Sequence, residues 1–561
     1  MRRLKIFLFV LLSVAVLLTA RFIVFMFSVY ITPPVPENPE ILQTERIQID
    51  ENAYLCLNNW LRLSESGLWE MYIEGDAFER GAMKGILTRE LICEQEKAFI
   101  SEIEKLVPSR FYLYFLKYFI AWFNKDVTDY LPIEYQLEIF GVSESACEEF
   151  DNVGPSYLRF LNYHGAHDIG HSLQNMGMVG CTSFAVWDDA SEDSLLMIGR
   201  NFDFYVGDDF AKNKIVAFYN PDQGHRFMFI TWGGMTGVVS GMNEHGLTVT
   251  INAAASGIPL RAKTPVSLVA REVLQYARNI EEAYDIISKR ETFVSESFFI
   301  GSALDHKAVI IEKNITETHI FESAGNTIIC ANHFQACAFE QNELNVKSIQ
   351  TSSSPYRQQR VEELISELMP FNYEKAAILL RDRKGLNGKH IGYGNEKAVN
   401  QLIAHHSVIF IPARLQVWVS TPPYQLGKYV AYDLGKVFET DLRTSGNAEI
   451  YIPELTIPAD QFLFTENFRN YEEYRKLTPV FAEKTACRNC NLVSEEFIEY
   501  YISLNPEYYY LYELTGDYYR SRKQFALAVS YYEFALTKEI TTTRDKLNIQ
   551  TKLEECKRKM L

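Results

Sequence analysis

Gly180-Cys181-Thr182-Ser183-Phe184, then Gly199-Arg200-Asn201-Phe202-Asp203-Phe204, then Asn243-Glu244-His245-Gly246-Leu247 with Asn252 beyond it, is the part of the chain whose reading decides the fold. Taken alone, Gly-Cys-Thr says little, because a lone Cys at a strand start is usually a small buried hydrophobe. Its surroundings say more. From Cys181 onward, short β-type runs cover Thr182–Trp187, Leu195–Arg200, Lys214–Tyr219, Arg226–Thr231, Val238–Met242 and Leu247–Asn252, punctuated by Gly, Asn and Asp. A helix follows, with Thr264 as its expected cap and Pro265 at its first position. Val266, Val269, Val273, Leu274 and Ala277 recur there at helical spacing. A second helical pattern covers Glu281–Lys289. Strands return at Ser297–Ala303, Ala308–Glu312 and Thr327–Ala331, and a helix at Arg357–Leu368. Strands, helices, then strands again predict an α+β fold of two sheets with helices packed outside them.

Working outward, residues 45–150 read as mainly helical and residues 32–44, with four prolines, as a linker. Within the helical part Phe111–Phe123 is almost wholly apolar and aromatic but too short to span a bilayer. We read it as a buried core helix, with a place on a membrane surface as the alternative. The N-terminus is basic at Met1-Arg2-Arg3-Leu4-Lys5 and then apolar from Ile6 to Ile31, long enough to cross a hydrocarbon core of roughly 30 Å. An uncleaved anchor is the preferred reading, and a signal peptide with Ile6–Ala20 as its apolar core is the other. Either way the basic flank predicts that the rest of the chain is exported. The expected divisions are 1–31 (anchor or signal), 32–180 (linker and helical pro-segment), 181–466 (catalytic domain) and 467–561 (helical tail). In the tail, Tyr512, Gly516, Tyr519, Ala528, Tyr532 and Ala535 match the small and aromatic sites of a tetratricopeptide helix pair. One such unit cannot bury its own face, so it is expected to pack on the main body or on a protein partner.

The formal charge of −17 leaves no obvious electrostatic route to nucleic acid or to anionic lipid head groups. Nine cysteines are an odd number, so an exported chain keeps at least one unpaired thiol. A free thiol in an oxidising compartment is a liability unless it has a task.

The residues around Cys181, in their order, resemble the cysteine branch of the N-terminal-nucleophile (Ntn) hydrolases. The likeness is greatest to the penicillin (isopenicillin N) acyltransferase family, and then to choloylglycine hydrolases and acid ceramidase. It begins at Gly75-Asp76-Ala77-Phe78-Glu79-Arg80-Gly81, which is similar to that family's pro-segment motif. It continues through Cys330-Ala331-Asn332-His333-Phe334, Ser354-Pro355-Tyr356-Arg357, His406-Ser407-Val408 and Leu415-Gln416-Val417-Trp418-Val419. The resemblance implies an αββα sandwich and self-cleavage between Gly180 and Cys181. Cys181 would then carry a thiol of pKa roughly 8.5 beside an α-amine of about 8, so one residue supplies nucleophile and base. By the same resemblance Asp203 would hold the new ammonium. Arg200 would lower the thiol pKa, and Asn252 and Asn332 would face the oxyanion. Arg357 would complete the site, with Arg360 one turn on as its possible substitute. No cofactor and no metal are implied. The implied activity is cleavage of an N-acyl compound's amide bond. An acyltransferase and a catalytically silent scaffold are the alternatives.

Three other signals carry less. His164, His167, Asp168 and His171 share a helical face and could bind zinc, but hydrogen-bonded support of the loop before Cys181 is the simpler reading. A single Cys487-Arg488-Asn489-Cys490 reads as a local disulfide. Gly233-Gly234 and Gly237 lack the Gly-Lys-Ser/Thr of a phosphate loop and read as a turn.

Overall fold

The computed structural model describes residues 2–107, 109–172, 180–257, 259–439, 449–487 and 492–561. Two stacked sheets form its centre. One has eleven strands, β1 (Ile47–Asp50), β2 (Ala53–Cys56), β3 (Asn59–Leu63), β4 (Trp69–Gly75), β7 (Ile215–Pro221), β8 (Phe227–Thr231), β9 (Ser240–Asn243), β10 (Leu247–Ala253), β11 (Glu296–Ser302), β12 (Lys307–Lys313) and β13 (Thr318–Phe321), in that spatial order. The other runs β14 (Thr327–Cys330), β5 (Thr182–Asp188), β6 (Ser194–Phe202), β15 (His406–Ile411), β16 (Gln416–Ser420), β17 (Tyr429–Asp433) and β18 (Ile452–Ile457). The pair β4–β7 is parallel, with Trp69 opposite Ile215, and makes the first sheet mixed.

Side-chain alternation explains the layering. Val216 and Phe218 of β7 point into a core shared with Val408 and Phe410 of β15, between the sheets. Ile215, Ala217 and Tyr219, one residue out of phase, point the other way into a core roofed by helices. Those helices are α2 (Ala77–Leu106), α4 (Ile133–Ser143), α5 (Ser156–Ser172), α6 (Val266–Tyr276) and α7 (Ile280–Lys289). Ile409 and Ile411 of β15 pack under α9 (Ser354–Leu368) and α10 (Tyr373–Leu380) on the opposite outer face. Because these strands are buried on both faces, they read as nearly continuous apolar runs.

Several expectations need correction. Residues 45–150 are not mainly helical from their start, because β1 to β4 occupy 47–75 and extend the first sheet. Their period-2 pattern is masked by a buried polar trio, in which Glu70 accepts from Arg62 at 2.8 Å and from the Tyr432 hydroxyl at 2.9 Å. The 32–44 stretch is not a free tether. Val29 and Ile31 are buried, and Ile41 and Leu42 pack on the helix-roofed core. The helix α3 (Arg110–Asn124) is not buried, since Phe111 and Tyr112 are each 67% exposed. Thr264 does not cap α6. Its hydroxyl donates to Tyr130 O, and the carboxylate of Asp168 accepts from Val266 N at 3.0 Å instead.

The Gly75–Gly81 motif has a physical account. Gly75 sits at φ +108°, a conformation costly for any side chain. Arg80 is buried, donates to Gly75 O at 2.9 Å and pairs with Glu134 and Glu138 at 2.9 and 3.0 Å. Gly81 lets α2 cross α4 closely, for a Cβ there would lie 2.1 Å from Glu138 O. Cys93 and Cys147 form a disulfide that ties α2 to the segment after α4. The N-terminal α1 (Arg2–Ser28) is long and apolar enough, over Ile6–Ser28, to cross a membrane.

Beyond β18 the tail is helical over Glu466–Ala486, Glu495–Ser503, Tyr509–Ser521, Phe525–Ala535 and Thr543–Met560. It packs on the main body around residues 390–402. Tyr393 and Asn505 exchange hydrogen bonds at 3.0 and 2.9 Å, Asn395 donates to Glu539 O at 2.9 Å, and Leu402 lies in the tail's own core. Of the Cys-x-x-Cys motif, Cys490 lies outside the described residues.

Candidate active site

Cys181 enters β5 from Gly180 and is 1% exposed. Its Sγ lies 3.7 Å from Arg200 Nη2 and 4.0 Å from the main-chain oxygen of Asp203. Burial pushes the thiol up to about 11 in this uncut chain, against the pull of the Arg200 charge. Gly180 is fixed at both ends of its peptide unit. Its N–H donates to Asp203 O at 3.0 Å, and its carbonyl accepts from Gln401 Nε2 at 2.6 Å.

Register brings the charged groups to this point. Pairing of β5 with β6 sets Ser183 opposite Arg200 and Thr182 opposite Asn201. Arg200 is fully buried, donates to Ser240 Oγ and Ile251 O, and lies over the Phe202 ring at 4.4 Å. Asp203 is fully buried as well, and neither carboxylate oxygen has a hydrogen-bond partner among the described residues. Desolvation pushes it up to about 7, although Arg357 and Arg200 pull the other way.

Arg357, on the first turn of α9, bridges the site. Its Nε donates to Thr182 Oγ1 at 2.9 Å, and its Nη2 reaches Cys181 O at 3.4 Å and Asn332 Oδ1. Arg360 is no substitute, being held by Asp382 at 3.0 Å and Glu363 at 2.8 Å. The two asparagines differ. Asn252 Nδ2 donates to Cys330 O and Ala331 O at 3.0 and 3.2 Å, so both its N–H groups are committed in the uncut chain. Asn332 Nδ2 donates to Ala253 O at 3.0 Å and keeps one N–H in hand. The geometry therefore gives Asn252 a framing place, pinning the strand end that carries Asn332.

Sequence reasoning missed Gln401, His405, His406 and Lys214. His406 Nε2 lies 2.8 Å from Ser240 Oγ, and its Nδ1 is 2.9 Å from that of His405, which extends the Arg200 network. Lys214 is 1% exposed, its Nζ has no hydrogen-bond partner among the described residues, and burial pushes it down to about 7. Below that pH the amine is charged in folded and unfolded chains alike, and its full desolvation cost stands. As pH rises toward 10.5 the folded chain sheds its proton first, and the cost fades. Lys214→Met is thus expected to stabilise the protein by ~1–4 kcal/mol at pH 6.5 and by much less at pH 9.5. Thermal melts at the two pH values check this, and an equal gain at both would refute it.

The remaining clusters have structural uses. His164 Nδ1 lies 2.7 Å from Phe160 O, and its Nε2 accepts from Thr236 N at 2.9 Å. The side chains of His167 and His171 lie outside the described residues. His225, Glu244 and His245 are close enough to hold a metal ion, but Arg226 takes both Glu244 oxygens and the two imidazoles meet at 3.1 Å. Asn243 Oδ1 accepts from His245 N and Leu247 N, which makes this motif the β9–β10 turn, with Gly246 at φ +70°. A small, largely apolar cavity of about 40 Å³ is lined by Phe99, Phe160, Tyr163, Phe204, Phe210 and Trp232.

Residues 190–421 match the family described as acyl-coenzyme A:6-aminopenicillanic acid acyl-transferase. The matched stretch takes in Arg200, Asp203, Asn252, Asn332, Arg357 and Gln401 and starts just after Cys181. The chain is 26% identical to an uncharacterized protein of Archaeoglobus fulgidus over 255 residues, 42% of this chain and 41% of that one. It is 24% identical over 225 residues to the N-acylethanolamine-hydrolyzing acid amidase of Caenorhabditis elegans, 38% of this chain and 59% of that one. The chain thus spans about two fifths to three fifths of the length of these relatives. Among solved structures, the conjugated bile acid hydrolase of Clostridium perfringens aligns with 46% of this chain and 93% of its own, at 13% identity and a TM-score of 0.31. Through residues 190–421, the chain is similar to the acyl-coenzyme A:6-aminopenicillanic acid acyl-transferase family.

Proposed function

We propose that the protein is a self-cleaving cysteine amidohydrolase that acts on an N-acyl compound through an acyl-enzyme on Cys181. The observation that carries this reading is the fully buried carboxylate of Asp203, which has no hydrogen-bond partner among the described residues, beside the Gly180–Cys181 bond. A buried acid with no partner is costly to retain. Breaking the bond creates an α-ammonium on Cys181, a charged hydrogen-bond donor that would add to the nearby Arg357 and Arg200 charges.

In the first step Sγ attacks the Gly180 carbonyl carbon, and the Cys181 nitrogen leaves as an amine with the thiol's proton. Water then hydrolyses the thioester, giving the Gly180 carboxylate and a free thiol. In turnover the α-amine takes the thiol proton and the thiolate attacks the substrate amide. The departing amine receives that proton, and water releases the acyl group as acid. Arg200 stabilises the thiolate. Arg357 holds Cys181 and orients Asn332, whose remaining N–H would serve the oxyanion. The amidase relative supports an amide substrate.

The same proposal places α1 as a membrane anchor with the catalytic body on the exported side, and gives the tail a tetratricopeptide-like form that braces residues 390–402. N-terminal sequencing of the mature protein should begin at Cys181, and a panel of N-acyl amides should yield free acid. Amide product formed on adding an amine acceptor would turn the assignment to acyl transfer. A wild-type chain that stays uncut and inert would leave only the scaffold.

A further inference from the structure

The helix α3 has a composition and a position that packing does not explain. Six aromatic side chains, Phe111, Tyr112, Tyr114, Phe115, Phe119 and Trp122, are between 37% and 67% exposed. At 100° per residue they fall within roughly 160° of arc, a single face. Such a contiguous aromatic face on a soluble surface marks a contact with something apolar. At the far end of the helix Phe123 meets Phe293 edge-on at 5.8 Å and Asn124 donates to Asn162 at 2.8 Å, and midway along it Lys117 donates to Asn152 O at 3.3 Å. Its charged residues are Arg110 and Lys117, both basic, in a chain of net charge −17.

Its neighbour says what the contact is. Tyr118 packs against Phe22 at 5.7 Å and Phe25 at 6.5 Å, on the last two turns of α1. Phe22 lies six residues before the end of α1, roughly 9 Å along the helix axis. If α1 spans a bilayer, α3 therefore sits at the depth of its outer interfacial zone, where aromatic belts and basic side chains reside. The body has no slack to carry α3 elsewhere, because Val29 and Ile31 are buried directly after α1. Leu260, 83% exposed, and Arg261 adjoin the same end of α3, as Ala262 N donates to Phe123 O.

We infer that α3 is an interfacial membrane helix, lying in the surface of the leaflet from which α1 emerges and holding the catalytic body down on the lipid. The inference rests on α1 being retained, and not on the chemistry proposed for Cys181.

Site-directed spin labelling of the full chain tests it. A Cys337→Ser background removes the exposed free thiol and leaves the other described free thiols, Cys56, Cys181, Cys330 and Cys556, buried. Labels are placed through Phe115→Cys and Phe119→Cys, with Leu547→Cys, 62% exposed on the tail, as the aqueous control. The protein is reconstituted in vesicles of phosphatidylcholine and phosphatidylglycerol. Collision with oxygen and with a water-soluble nickel chelate is then read at each label. The expected result at positions 115 and 119 is high oxygen and low nickel access, at a depth of roughly 5–10 Å, with the reverse at position 547. High nickel access at 115 and 119 would overturn the inference by placing the face in water. Low access to both reagents would overturn it in favour of a protein partner.

Discussion

Cys181→Ala is expected to leave one uncut chain and to abolish amide hydrolysis in the same stroke. Few single substitutions carry two such losses. Here they coincide because the thiol that breaks the Gly180–Cys181 bond is also the turnover nucleophile, and the amine that serves it as base exists only after the break. Loss of a nucleophile of this kind costs on the order of 10⁴–10⁶ in rate. Folding should survive, since alanine removes one sulfur atom from a site where Cys181 already behaves as a small buried side chain. A single cooperative melt of the uncut Cys181→Ala chain would establish that. Cys181→Ser separates the chemistry further. A hydroxyl can still attack, but its far higher pKa should make cutting incomplete. The readouts are a denaturing gel, N-terminal sequencing and acid release from an N-acyl amide. Cleavage at the same bond in Cys181→Ala would assign it to another protease and remove the self-processing step.

The sequence made some of this legible and hid the rest for identifiable reasons. From Thr182 to Cys330 the strands are short apolar runs closed by Gly, Asn and Asp, and the expected and observed segments overlap one for one up to β12. The strands β1 to β4 escaped because Arg62 and Glu70, a buried ion pair, look like surface residues in a linear reading. For α3 the apolar and aromatic run was visible, but such a run does not say whether protein or lipid covers it. Among the site residues, Cys181, Arg200, Asp203 and Arg357 lie together in the structure. That Asn252 has no N–H left in the uncut chain depends on two carbonyls 78 and 79 residues away, which no local pattern records. Gln401 is the extreme case. It sits in an irregular polar loop and acquires meaning only through a hydrogen bond across 221 residues.

That hydrogen bond carries the second large expectation: Gln401→Leu should slow self-cleavage by about 10²–10³, the effect of removing one oxyanion donor, ~2.7–4 kcal/mol. When Sγ attacks Gly180, negative charge gathers on the carbonyl oxygen that already accepts from Gln401 Nε2 at 2.6 Å. The donor is buried, 1% exposed, and the backbone beyond it is fixed by Asn400 Oδ1, which accepts from Leu402 N at 2.9 Å. It is therefore aimed before the charge appears, and little reorganisation is needed. This geometry also accounts for glycine at 180, because a Cβ there would lie 2.5 Å from Gln401 Nε2 and push the donor aside. Leucine keeps the bulk and deletes the N–H. Gln401→Glu keeps the shape but sets a carboxylate against the developing oxyanion, so it should cut more slowly than Gln401→Leu at neutral pH. On acidification the protonated acid can donate again, and the gap between the two variants should narrow or reverse. Precursor half-lives measured on gels between pH 5 and pH 8 read this directly. A loop-bracing role for Gln401, in contrast, would slow both variants alike at every pH, and that parallel behaviour would sink the assignment.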